Sequence, residues 1–206
     1  MPSIGHHIWR LEIGGVKYLG LIPHDLAYFG RYFKGRPMAP NWAPPPIELS
    51  GRSKKLPDFV SWMKSAPVVS EKARSTLEPI LRGCVQFFDF HEIKAKRYFA
   101  MNVICVERAL LDLPRSKILY ADDQRKLAIA VKEAVFVDPL PPKLPPMFKL
   151  AIAKQDALGD IYVTQEFAAA AVRYKLTGLE LSDPSQDSFK RHVNGHPLNV
   201  VPGIIT

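Results

Sequence analysis

Cysteine is scarce in this sequence. Of 206 residues only Cys84 and Cys105 are cysteine, both in apolar, strand-like surroundings (GCVQFFDF and NVICVERAL). Two thiols without motif spacing argue against a disulfide framework or a cysteine-based zinc site, and they fit a reducing compartment. Long apolar runs are missing as well. No stretch approaches the roughly 20 apolar residues that span a bilayer, and MPSIGHHIWRLEIGG has no basic stretch followed by an apolar run. The expectation is a cytoplasmic protein, neither exported by a signal peptide nor embedded in a membrane.

Motifs that carry chemistry are also wanting. There is no GxSxG elbow, no GxxxxGK loop, no GxGxxG, no HExxH and no CxxC. Phosphate cradles need glycines that open a helix, whereas Gly14-Gly15 is followed by a strand-like segment and reads as a hairpin turn. His6 and His7 are adjacent and would face opposite sides of a strand. His192 and His196 have helical spacing, but Val193, Asn194, Gly195 and Pro197 deny a helix there. His91-Glu92 ends an aromatic strand and lacks a third ligand. Asp122-Asp123 reads as a turn or helix start rather than as paired catalytic acids. No catalytic, cofactor-binding or metal-ligating residue is expected, and the chain is not read as an enzyme.

What is present is a globular composition, 47% hydrophobic and 23% charged, in a chain long enough to bury a core unaided. The anomaly is a net charge of +8. Residues 1–65 hold nine Lys or Arg against four Asp or Glu, while residues 66–183 are nearly balanced, 17 against 15. Arg31, Lys34, Arg36, Arg52, Lys54 and Lys55 flank a proline-rich stretch and form the candidate partner-binding set. The competing reading is a plain solvated surface, because scattered Lys and Arg keep proteins soluble.

The patterning divides the chain. Residues 1–55 comprise a strand pair, HHIWRLEI and VKYLGLI, and a proline-rich loop packed on the main domain. A short helix or turn is expected over Asp25–Phe33. Residues 56–183 form the main domain and 184–206 a C-terminal tail whose apolar content favours docking. Within the main domain Ser70 caps a helix ending near Gly83, with Pro79 expected to kink or shorten it. CVQFFDFHEI and RYFAMNVICVE read as adjacent antiparallel strands whose aromatics fill a core rather than stack on bases. LAIAVKEAVFV is ambiguous between helix and strand.

PVVSEKARSTLEPILRGCVQF and IYVTQEFAAAAVRYKLTGLEL share one plan: strand, hydroxyl cap, acidic first turn, helix, glycine, strand. The caps Ser70 and Thr164 lie 94 residues apart, and Gly83 and Gly178, each suited to a left-handed helix end, lie 95 apart. The plan fits an internal duplication, and equally two unrelated units of a common type. The fold class expected is α+β, with a mostly antiparallel sheet and two strand-helix-strand units.

Four segments, PDFVSW (57–62), VVSEKARSTLEPI (68–80), RYFAMNVICVERALLDLPRS (97–116) and IYVTQEFAAAAVRYKLTGLELSD (161–183), together resemble the MXAN-type immunity-protein family of bacterial polymorphic-toxin systems. The resemblance covers about residues 56–183 and fades on either side. It implies a cytoplasmic antitoxin that binds and neutralises a cognate toxin effector, and it carries over no catalytic residue. The alternative from another class is a nucleic-acid-binding module that uses the basic N-terminal segment.

Overall fold

The computed structural model describes residues 7–14, 18–24, 31–51, 53–121, 124 and 126–187. The N-terminal half of the described chain runs β1 (Ile8–Ile13), β2 (Gly20–Pro23), β3 (Ile47–Ser50), β4 (Phe59–Met63), β5 (Ala66–Ser70), α1 (Glu71–Leu81), β6 (Val85–Asp89) and β7 (Tyr98–Val103). It continues through β8 (Val106–Glu107), β9 (Lys117–Tyr120), β10 (Ala128–Glu133), β11 (Met147–Leu150), β12 (Ile161–Thr164), α2 (Gln165–Arg173) and β13 (Leu179–Ser182). Strands and helices segregate as in an α+β fold, and all pairings are antiparallel except β2 with β4 and β8 with β11.

Two larger sheets dominate, β13-β1-β12-β11-β8 and β3-β2-β4-β5-β7-β6, with a separate β9-β10 ribbon. Their order places β1 between β12 and β13, and β7 between β5 and β6. Strands joined through α1 therefore flank β7, and strands joined through α2 flank β1. Both faces of each central strand are covered, so the first four residues of β1 and all six of β7 are buried. In β7 the odd residues Phe99, Met101 and Val103 face the core under the helices, while Tyr98 and Ala100 face the opposite core.

The helices supply the roof of the central core. α1 buries Ala73, Leu77 and Leu81, spaced by four along one face. α2 buries Phe167, Ala168 and Ala171. They meet Trp9 and Leu11 of β1, Phe59 of β4, Val69 of β5 and Ile161 and Val163 of β12. Burying Leu77 or Phe167 contributes about 1.5–3 kcal/mol each. The other face of the first sheet packs on the β9-β10 ribbon, and the other face of the second packs under the proline-rich segment.

Several expectations change here. β1 and β2 do not form a hairpin with each other. β1 joins β12 and β13, whereas β2 joins β3 and β4. The physical reason lies in β1 itself: Ile8, Trp9, Arg10 and Leu11 are all buried, so it takes ladder partners on both edges, and Gly14, at φ 107°, donates to Gly178 O. Gly15 and the Asp25–Gly30 part of the Asp25–Phe33 segment lie outside the described residues. α1 continues past Pro79 to Leu81, because Pro79 falls in the last turn, where few ladder bonds remain to lose. Gly83, at φ 82°, takes the left-handed position after the C-cap of α1, but Lys175, at φ 50°, takes it after α2, and Gly178, also at φ 82°, lies three residues further on. Ser70 Oγ accepts from Ala73 N at 3.2 Å, while Thr164 makes no side-chain cap bond. The ambiguous LAIAVKEAVFV segment contains strand β10.

Of the tail, residues 184–187 pack: Pro184 O accepts from Ala134 N and from Arg10. Residues 188–206 lie outside the described set, as do His192 and His196. No helix among the described residues is long and apolar enough to cross a membrane.

Candidate partner-binding site

The second sheet ends at β6, whose one strand partner among the described residues is β7. In an antiparallel pair alternate residues aim their backbone groups at the partner. Phe90 N donates to Tyr98 O and Ile104 N donates to Cys84 O, so the even positions face β7. Val85, Phe87 and Asp89 consequently aim their N–H and C=O groups at the open edge.

Beside that edge lies the proline-rich segment, residues 36–46, strapped over the sheet. Proline fixes its extended backbone and removes donors, so side chains of the sheet must hold it. Gln86 does so with both ends of its amide: Met38 N donates to Oε1 at 2.8 Å and Nε2 donates to Met38 O at 3.2 Å. Buried Asn102 donates to Arg36 O at 2.8 Å and to Gln86 Oε1 at 3.0 Å. The His91 ring nitrogen lies 2.8 Å from Pro45 O. Trp42 anchors the strap among Phe33, Phe88 and Phe90, at ring separations of 5.6, 5.5 and 6.5 Å.

Between strap and edge runs a groove of about 410 Å³ lined by Met38, Pro40, Trp42, Gln86, Phe87, Phe88 and Asp89. Asp89 is its one ionisable residue, and it pairs with Arg97 at 3.2 Å. The groove thus offers apolar side chains, the polar groups of Gln86 and Asp89, and backbone hydrogen-bonding groups at its edge.

The basic residues read from the sequence do not form one patch. Lys34 lies 3.3 Å from Asp156, and Arg36 pairs with the same carboxylate, so both fasten the start of the strap. Arg31 is exposed and Arg52 lies outside the described residues. Lys54 and Lys55 belong to another cluster. The β6-β7 hairpin tip, with Lys94 and Ala95 at positive φ, curls so that Lys94 Nζ donates to Lys54 O at 3.0 Å. Lys54, Lys55, Lys94 and Lys96 are exposed, and none is in an ion pair among the described residues. In the sequence Lys94 and Lys96 read only as neighbours of the aromatic strands; the hairpin's curl is what brings Lys94 to a segment 40 residues earlier.

Other polar groups serve the architecture. Asp58 accepts from Ser70 Oγ at 2.9 Å, and from Thr177 N and Thr177 Oγ1 at 2.9 Å each, with Lys72 at 3.4 Å. Burial raises its pKa, but these donors outweigh that and hold the carboxyl below the ordinary range. Buried Arg10 donates to Gln186 O, Lys132 O and Pro184 O. Buried Lys149 donates to Phe33 O at 2.6 Å and Ser65 O at 2.8 Å, and burial pulls its pKa down to about 7 against the opposing pull of Asp160. Cys84 and Cys105 are free and adjacent, and burial, then the Cys84 neighbour, pushes the Cys105 thiol up to about 12. Such a thiol is a poor nucleophile at neutral pH. His7 packs on Trp9 and His24 lies 3.1 Å from Glu48. No group of three or more His, Cys, Asp or Glu among the described residues could hold a metal ion; His6, Asp122 and Asp123 lie outside that set.

No protein-family model matches this chain, and no curated protein matches it.

Proposed function

We propose that this chain is an interaction protein that neutralises a cognate bacterial toxin effector in the cytoplasm, the role implied by its resemblance to the MXAN-type immunity proteins. The observation that carries the reading is the groove along the open β6 edge, where a rigid strap, apolar side chains and outward backbone groups are presented without a second acid or base. Strap and strand are pre-fixed by Gln86 and Asn102, so a partner meets an ordered surface and binding spends little on ordering it. The lysine cluster beyond the β6-β7 tip steers an acidic partner and fixes its orientation.

The finer architecture belongs to the same proposal. β5-α1-β6 around β7 and β12-α2-β13 around β1 are two copies of one unit, joined where Asp58 ties the start of α1 to the loop after α2.

Co-expression tests the function. Each flanking gene is induced with and without this chain, growth is recorded, and tagged pairs are purified. Rescue of a toxic neighbour together with a stable complex is the expected result. The nucleic-acid reading draws on the lysine cluster; retention on DNA or RNA falling steeply with salt, and no complex with either neighbour, would replace the neutralisation reading.

A further inference from the structure

From the backbone of β6 we infer that the partner contributes an extended, acidic segment that adds as a new strand to the β6 edge, lying in the groove beneath Trp42. The inference rests on the neutralisation reading of this groove and specifies how the partner is held. Three residues, Val85, Phe87 and Asp89, present unpaired-edge backbone groups by the alternation fixed by Phe90 N to Tyr98 O and Ile104 N to Cys84 O. An exposed edge of this kind is a template for a further strand, and main-chain bonds then supply affinity while side pockets select alternate side chains. The strap supplies the pocket: Met38, Pro40 and Trp42 stand beside the edge, so every second side chain of the incoming strand enters an apolar slot. Charge selects the occupant. The tip to which β6 leads carries Lys94 and Lys96 beside Lys54 and Lys55, none ion-paired among the described residues, and the whole chain carries +8. A segment with Asp or Glu at the end nearest this tip is complementary to it.

The alternation also yields a specific test. The Asp89 amide points away from β7, so Asp89→Pro deletes a donor the partner would use and leaves the β6-β7 ladder whole; proline is tolerated at such edge positions. Asp89→Ala removes the same exposed Arg97 pair and keeps the amide. The probe is the toxic flanking-gene product, measured by calorimetry, with amide exchange of the native chain followed by NMR. Strand addition predicts that Asp89→Pro binds about tenfold or more weakly than Asp89→Ala, which shares the loss of the carboxylate and keeps the amide, and that the Phe87 and Asp89 amides gain protection in the complex. If a complex forms but the two variants bind alike and those amides stay unprotected, strand addition is overturned while neutralisation stands. If neither flanking product is toxic or forms a complex with the native chain, the neutralisation reading fails and the inference with it. Should Asp89→Pro lose its far-ultraviolet dichroism, the exchange data on the native chain decide alone.

Discussion

Asp58 shows how one side chain can join distant parts of a chain. It is partly buried, and the bonds it accepts from Ser70 and Thr177 link the start of α1 to the loop that follows α2. Asp58→Ala leaves those donors without their acceptor, and unfolding in urea should show a loss of about 2–4 kcal/mol, a carboxylate with several bonds being worth more than a neutral pair. Because its folded pKa is depressed, its stabilisation is present above the ordinary carboxylate range and is lost as pH falls through the folded value. Lys149 gives a dependence of the same sign in a higher pH window. With a folded pKa near 7 against 10.5 unfolded, the native state releases the proton first, so stability is independent of this group below pH 7 and rises as pH increases above it. Urea midpoints measured between about pH 7 and 8.5 should climb, and Lys149→Met should flatten that climb; an unchanged slope would show that Lys149 does not titrate there. Neither residue announces itself in the sequence. Asp58 meets Thr177 at a separation of 119 residues, and the Lys149 acceptors are backbone carbonyls 116 and 84 residues away.

At the scale of elements, local signals were legible and long-range pairing was not. Ser70 before Glu71 gave the cap of α1, and the apolar β6 and β7 segments gave their antiparallel pairing, because both depend on nearby residues. The turn read at Gly14-Gly15 gave the wrong partners. Nothing within residues 6–22 reveals that β1 is buried on both faces and needs β12 and β13 from the other end of the chain. The paired glycines divide in the same way. At Gly83 an added Cβ meets nothing within 4 Å, so Gly83→Ala should cost about 1 kcal/mol, the left-handed backbone penalty. At Gly178, with the same φ of 82°, the Cβ would collide with Phe59 O and with Pro57, so Gly178→Ala should cost clearly more, about 3 kcal/mol. Thermal unfolding of the two variants side by side checks the ranking, and equal losses would mean that backbone conformation alone requires glycine at 178.

For the whole molecule, the charge excess was legible but its arrangement was not. Composition placed the surplus before residue 66, yet Lys34 and Arg36 are engaged by Asp156, while Lys54 and Lys55 join Lys94 and Lys96 from the β6-β7 tip. The groove was hidden for a related reason. A proline-rich segment reads as a loop, and only the Gln86 and Asn102 side chains, from strands far along the chain, turn it into one wall of a groove. In the proposed function that groove is where the partner is held. Pro40 is exposed and lines it, so Pro40→Trp fills the groove without touching the core. The decisive measurement is growth rescue against the toxic flanking-gene product at matched expression of the native chain, Pro40→Trp, and the surface control Leu113→Trp. Rescue by the native chain and the control but not by Pro40→Trp is the predicted result; full rescue by a well-folded Pro40→Trp would contradict the assignment of the groove.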